Sequence, residues 1–323
     1  MKILHICAGW QKWNGAANIA RMIMDGQHRE GHEVSFATWA KVRELRAADE
    51  VWIHCGWLPC LWWAVLCGQN VHWMPEACYD PVRLKYHGWK KWLAGPIERF
   101  FLRRCAKIVA TCEAEKAWIK RYLGKKCPPV EVTDIKRFFK LKGGEAKENW
   151  RRGILPRQMG EQGATSVATL TRLEAASPID SRAIHLLYLG RCHPLKGLEY
   201  LEAAVAELNS NPVNPVNPVQ KTSTRSTWLK TEFRIVSNAF GEELEKVWAW
   251  CDVLVLPTLS ENFGLVVAEA LERGKRVITT DGAPAWGGGN DYGGRLIYLK
   301  GYRDGTDEER VELLKMAIER ICE

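Results

Sequence analysis

The chain has 323 residues, of which 46% are hydrophobic and 26% charged, with a formal net charge of +8. That length is generous for one compact core and suits two domains of roughly 150 residues each. The composition excludes a wholly disordered chain, and the longest charge-free stretch, Val51–Trp73, is too broken by His54, Gly56, Pro59, Gly68, Gln69, Asn70 and His72 to span a membrane.

The opening, Met1–Ile6, reads as a first β-strand rather than the apolar core of a signal peptide, so a cytoplasmic location is expected. Further strands are predicted at Val34–Thr38, Val51–Cys55, Val71–Met74, Ile108–Cys112 and Val130–Thr133. Helical patterns over Ala16–Arg29, Pro96–Cys105 and Glu113–Tyr122 alternate with them. Strands alternating with helices imply right-handed crossovers and a parallel sheet covered on both faces, here a doubly wound α/β domain over residues 1–140.

Within it, Arg83–Lys126 carries thirteen Lys or Arg against three Glu. Such a surplus is either a pair of solvated helix faces or a surface that meets something anionic. No nucleic-acid module is recognisable, so a lipid surface is preferred and nucleic acid is not expected as a partner. The eleven cysteines form no Cys-x-x-Cys pair, and the spacing predicts reduced, mostly buried thiols.

Residues 141–182, rich in Gly, Arg, Glu and Ser, read as linker and loop. A second alternating series fills 183–323. Its strands are predicted at His185–Leu189, Phe233–Ser237, Val253–Leu256, Arg276–Thr280 and Arg295–Leu299. The helices between and after them are predicted at Leu198–Leu208, Glu242–Trp250, Phe263–Arg273 and Asp307–Ile321. Three Asn-Pro-Val units run from Asn211 to Val219, so 209–227 is expected to be an exposed, extended loop. Two such domains in tandem create a cleft, the preferred place for a ligand touched by both.

The sharpest motif is Ser260-Glu261-Asn262-Phe263-Gly264-Leu265, which follows the buried strand Val253–Leu256 and opens a helix containing Glu269. A helix start offers unpaired N–H groups and a positive dipole end, and Gly264 lets the backbone approach a ligand closely. The bland alternative is an N-cap by Ser260 or Asn262 with Glu269 on a solvated face. A second motif, Gly190-Arg191-Cys192-His193-Pro194-Leu195-Lys196-Gly197, places two cations after a strand end. There Arg191 can present a planar fork to phosphate oxygens and Lys196 a compact charge.

The two motifs, in this order and about seventy residues apart, resemble the family-4 glycosyltransferases of the GT-B fold, in which two Rossmann-like domains face a cleft. The resemblance implies an enzyme that moves a hexosyl group, with retained configuration, from a nucleotide diphosphate sugar to an envelope glycolipid or polysaccharide such as a lipopolysaccharide core. It implies that Glu261 holds the transferred sugar, Glu269 the ribose, and that Asn262, Phe263, Gly264 and Leu265 lend backbone amides. Gly190, Arg191 and Lys196 would grip the diphosphate, and Gly15, ending the loop from Gly9, would approach it. The match covers most of the chain, weakest over 141–182 and 209–231.

Where many relatives carry a His or Arg after the fourth strand, this chain reads Met74-Pro75-Glu76-Ala77. Glu76 is therefore expected to substitute, with His54 or His72 as alternatives. No Asp-x-Asp pair is present, and the resemblance implies that cations and helix N-termini replace a metal, so no cofactor is expected. Two competing readings remain open: a non-catalytic nucleotide-sugar binder, and a GT-B enzyme of another kind such as an epimerase. The basic segment and 16 tryptophans add the expectation of peripheral contact with an anionic membrane, on the inner face of the cytoplasmic membrane.

Overall fold

The computed structural model describes residues 1–7, 15–54, 62–86, 88–139, 183–210, 231–237, 239–289 and 292–322. The expected linker at 141–182, the Asn-Pro-Val repeat and loop residues 8–14 lie outside the described residues. Two parallel sheets organise the chain. The first contains β1 (Lys2–Ile6), β2 (Glu33–Ala37), β3 (Glu50–His54), β4 (Val71–Met74), β5 (Lys107–Ala110) and β6 (Val130–Val132), in the order β2-β1-β3-β4-β5-β6. The second contains β7 (Ile184–Leu189), β8 (Thr231–Val236), β9 (Val253–Leu256), β10 (Arg276–Thr280) and β11 (Leu296–Leu299), in the order β11-β10-β9-β7-β8. Every pairing is parallel.

Burial follows from that arrangement. The central strands β4 (Val-His-Trp-Met) and β9 (Val-Leu-Val-Leu) are buried at every residue, because helices cover both faces. Edge strands β2 and β8 stay partly exposed. The first domain's helices are α1 (Gly15–Arg29), α2 (Val42–Ala47), α3 (Trp62–Cys67), α4 (Pro81–Tyr86), α5 (Gly88–Leu102) and α6 (Glu113–Leu123). Those of the second are α7 (Leu198–Ser210), α8 (Gly241–Trp250), α9 (Leu265–Glu272) and α10 (Asp307–Cys322). Trp73, Leu102, Ile108 and Ile119 pack in one core of the first domain. A second, continuous core joins Ile19, Met22, Met74 and Val109 of the first domain to Leu254, Phe263 and Ile278 of the second, so the domains meet through apolar contact.

Two predicted helices differ from those observed. The helix expected from Pro96 begins at Gly88 and runs through the proline. Proline removes one backbone bond and crowds the preceding turn. Just before it, Gly95 lets α5 run close to α6, where an added Cβ would stand 3.2 Å from the Tyr122 hydroxyl. The helix expected from Phe263 begins at Leu265 instead, because Gly264 adopts the left-handed conformation (φ 71°, ψ 62°) that ends the preceding loop.

The strand orders also fix where a ligand can sit. In the first sheet the chain leaves β1 toward β2 on one side and returns to β3 on the other. In the second it leaves β7 toward β8 and returns to β9. Loops at the carboxyl ends of those strands diverge at each reversal, leaving a crevice. Gly190–Gly197 and Pro257–Gly264 follow β7 and β9, while Gly15 and His54 belong to the corresponding edge of the first sheet.

Candidate active site

On the second domain the two motif loops are bound together. Thr258 Oγ1 and the Leu259 amide both donate to the Leu195 carbonyl, at 3.0 and 2.9 Å. Tyr188 closes the turn after Gly190 by donating to the Arg191 carbonyl at 2.7 Å. His193 Nδ1 accepts the Leu195 amide at 3.1 Å, which starts the short 3-10 turn Pro194–Lys196. Gly197 then takes a left-handed φ of 62°, and any Cβ there would lie 2.3 Å from the Pro257 carbonyl oxygen. Only glycine lets the loops approach this closely.

The outcome is an ion pair between Lys196 and Glu261. The other carboxylate oxygen of Glu261 accepts the Asn262 amide at 2.9 Å. Burial by itself raises the Glu261 carboxyl, but Lys196, Arg83 and the Asn262 amide outweigh it and hold the group below the ordinary carboxylate value. Arg191, on the same loop as Lys196, is exposed. Glu269 lies elsewhere on the motif's helix. Burial pushes its carboxyl up to about 7, against Arg273 and with help from Glu272 and Glu245. Its neighbours are thus those of α8 and the end of α9, distinct from those of Glu261.

The first domain contributes a different arrangement. His5 and His54 stack with ring centroids 5.1 Å apart, and His5 Nδ1 lies 2.9 Å from His54 Nε2. His5 Nε2 meets Gln27 Oε1 at 2.7 Å, and His54 Nδ1 faces Glu76 Oε1 at 3.8 Å. Burial lowers His5 to about 4 and His54 well below its ordinary value, so both rings are neutral near pH 7. Glu76 and Ala77 adopt left-handed backbone conformations (φ 55° and 58°). Such conformations are strained for residues with a Cβ and cluster where function demands a particular side-chain direction. His54 is fully enclosed, with its two ring nitrogens facing Glu76 and His5. His72, also buried, packs edge-on against Trp52 and faces Glu50 at 3.4 Å, the role of a packed residue.

Polar contacts join the two sides. Glu115 accepts the amides of Ala77 and Thr111, and the Thr111 hydroxyl bridges Glu115 (2.7 Å) and the Asn262 side chain (2.8 Å). Glu76 and Glu261 are therefore linked through their chain neighbours across the cleft. The alternative of an N-cap by Ser260 or Asn262 does not hold: α9 has no side-chain cap, and both side chains reach the first domain. Gly15 opens α1 and is exposed, and among the described residues none lies within 4 Å of where a Cβ would project. Gly190, Phe263 and Gly264 lie on the two loops and Leu265 opens α9; Phe263 packs against Trp286, whose indole donates to its carbonyl. Sequence reasoning missed Asp80 and Arg303 altogether, and took Arg83 as part of a basic surface although its Nε donates to the buried Ser260 Oγ of the other domain at 3.0 Å.

This geometry of paired Rossmann-like sheets is the GT-B glycosyltransferase fold. Residues 183–291, which contain both motif loops, match the model of the glycosyl transferases group 1 family. No curated protein is similar enough in sequence to match the chain. Among solved structures, the chain is similar to a sucrose-phosphate synthase from Thermosynechococcus elongatus, with 14% identity over 99% of this chain and 89% of that one and a TM-score of 0.60. It is similar as well to Anabaena HepE in complex with UDP-glucose, at 15% identity over 99% of this chain and 90% of that one, TM-score 0.56. A third neighbour is WaaG, a glycosyltransferase involved in lipopolysaccharide biosynthesis, at 13% identity, 99% and 90% coverage and TM-score 0.53.

Proposed function

We infer that the protein is a glycosyltransferase that takes a hexosyl group from a nucleotide diphosphate sugar and passes it, with retained configuration, to a glycolipid or polysaccharide acceptor. The observation that carries this reading is the Lys196–Glu261 pair held at the start of α9, within the segment that matches the group 1 family. Lys196 is placed to leave Glu261 and neutralise a diphosphate, with Arg191 of the same loop and the α9 amides adding positive potential. Glu261 is then free to accept hydroxyls of the sugar. In the reaction the bond from the anomeric carbon to the diphosphate oxygen breaks and one to the acceptor oxygen forms. The acceptor proton passes to the departing phosphate. Glu76, at the end of β4, supplies a carboxylate that orients the acceptor, and Glu269 receives the ribose. These cations serve in place of a metal ion, so transfer is expected to survive EDTA. A UDP-sugar donor is supported by the UDP-glucose bound to Anabaena HepE.

The acceptor side supports a membrane-borne substrate. On α5, Leu93, Ile97 and Phe100 expose 60%, 54% and 47% of their surface along one face, and Arg104 sits over the Phe100 ring. Apolar residues flanked by cations suit an anionic bilayer surface. The basic segment itself divides, since Arg83 turns inward, Arg103 donates to the Leu123 carbonyl and Lys107 pairs with Glu131. Among the described residues, no helix is long and apolar enough to cross a membrane.

The test is a thermal-shift screen of the full chain against nucleotide diphosphate sugars, followed by product analysis with the best donor. Binding stabilises by mass action. Lys196→Ala and Glu261→Gln are each expected to cut turnover roughly 100-fold or more. A donor that binds but is never turned over would favour the non-catalytic reading, and an epimerised nucleotide sugar would identify an epimerase.

A further inference from the structure

Asp80 is completely buried, and its carboxylate is shared between the two domains. Oδ1 accepts the Val82 amide at 2.9 Å, which starts α4, and also pairs with the Arg303 guanidinium. Oδ2 accepts the Ser260 hydroxyl at 2.5 Å. Ser260 is itself fully buried, and its oxygen receives Arg83 Nε from the middle of α4. Arg303 is anchored in the second domain by its backbone: its amide donates to Asp281 at 2.8 Å and its carbonyl accepts Arg310 at 2.9 Å. From that base its side chain lies over Trp118 of α6, 5.2 Å from the ring centre. At its far end α4 meets the other motif loop through Tyr86 and His193, whose rings are 5.4 Å apart.

A single short helix thus touches both loops that carry Lys196 and Glu261. Ser260 and Asn262, on either side of Glu261, are both tied to the first domain, one through Asp80 and Arg83 and the other through Thr111. Buried charge pairs are an inefficient source of stability, because desolvation offsets most of their attraction. Their strength lies in geometry: a carboxylate that must satisfy a hydroxyl, a guanidinium and an amide tolerates only one docking of the domains.

We propose that Asp80 is a positioning residue which, through Ser260 and Arg303, sets the Glu261 loop only when the two domains are docked, so that donor grip and domain closure become one event. This rests on the donor-binding reading of Lys196 and Glu261. The experiment compares the full-length wild type with Asp80→Asn, which preserves size but removes the charge, and Ser260→Ala, which approaches the contact from the other domain. Small-angle scattering reports domain docking, hydrogen exchange reports the amides of 258–264, and titration with inorganic pyrophosphate reports the grip.

Both variants are expected to scatter with a larger radius and to exchange about tenfold faster at 258–264, while β7, β9 and β10 keep wild-type protection. Pyrophosphate affinity should fall about tenfold. Wild-type scattering and loop exchange in both variants would overturn the proposal, as would faster exchange spread evenly through both sheets, the mark of a merely structural role. Failure of the wild type to bind pyrophosphate would count against the donor reading alone, since scattering and exchange decide the docking role without any ligand.

Discussion

Glu261 of the second domain and Glu76 of the first stand in opposite surroundings. Glu261 stands on a loop tied by backbone bonds to its neighbours, pairs with Lys196 and stays ionised below the ordinary value. Glu76 stands on a left-handed turn and faces the neutral ring of His54, itself backed by His5 and Gln27. The second domain has built a fixed charge pattern, suited to a ligand whose charged part never varies. The first has built a buried histidine pair behind Glu76, with Glu115 holding the Ala77 amide beside it.

The contrast can be broken most severely at the point where the second-domain loops touch. Gly197→Ala places a methyl against the Pro257 carbonyl in a backbone conformation unfavourable to alanine. It should destabilise the fold by about 1–3 kcal/mol in denaturant unfolding, and any donor-induced thermal shift should vanish with it. A wild-type midpoint would mean the loops are not held by this contact.

A smaller effect separates Glu261 from Glu269. Glu269 has a folded-state value of about 7, above its unfolded value, so the folded chain holds that proton more tightly. The resulting stability is fully present below the unfolded value and is lost as pH rises through about 7. Wild-type Tm measured from pH 5 to pH 8 should therefore decline relative to Glu269→Gln. Parallel curves for the two proteins would refute the assignment. The smallest effect on stability is expected at α5, where Ile97→Ser with Phe100→Ser should change unfolding by within about 0.5 kcal/mol. The same pair should abolish binding to anionic vesicles, and unchanged vesicle binding would remove that face from consideration.

Much of the architecture was legible because its signals are local. The continuous apolar run Val253–Leu256 marks a strand covered on both faces, and the β-branched run within Arg276–Thr280 marks another; both were found at their observed limits. The Gly190–Gly197 and Ser260–Leu265 loops were legible for a similar reason, since glycine, cation and carboxylate types recur at short spacing. Asp80 gave no such signal. Its partners Ser260 and Arg303 are 180 and 223 residues away, and an isolated aspartate before a proline looks like an ordinary helix start. The same holds for His5 and His54, 49 residues apart on strands that become neighbours only in the sheet.

By itself, the sequence determined two doubly wound parallel sheets and the loops that end β7 and β9, because strand burial and loop chemistry are written in consecutive residues. The tertiary structure alone decided that Lys196 meets Glu261, that Ser260 and Asn262 serve the other domain rather than their own helix, and that Glu76 rests on a histidine pair. Each of these depends on how desolvated polar groups find partners when distant strands and helices are brought together, and no short-range pattern encodes that choice.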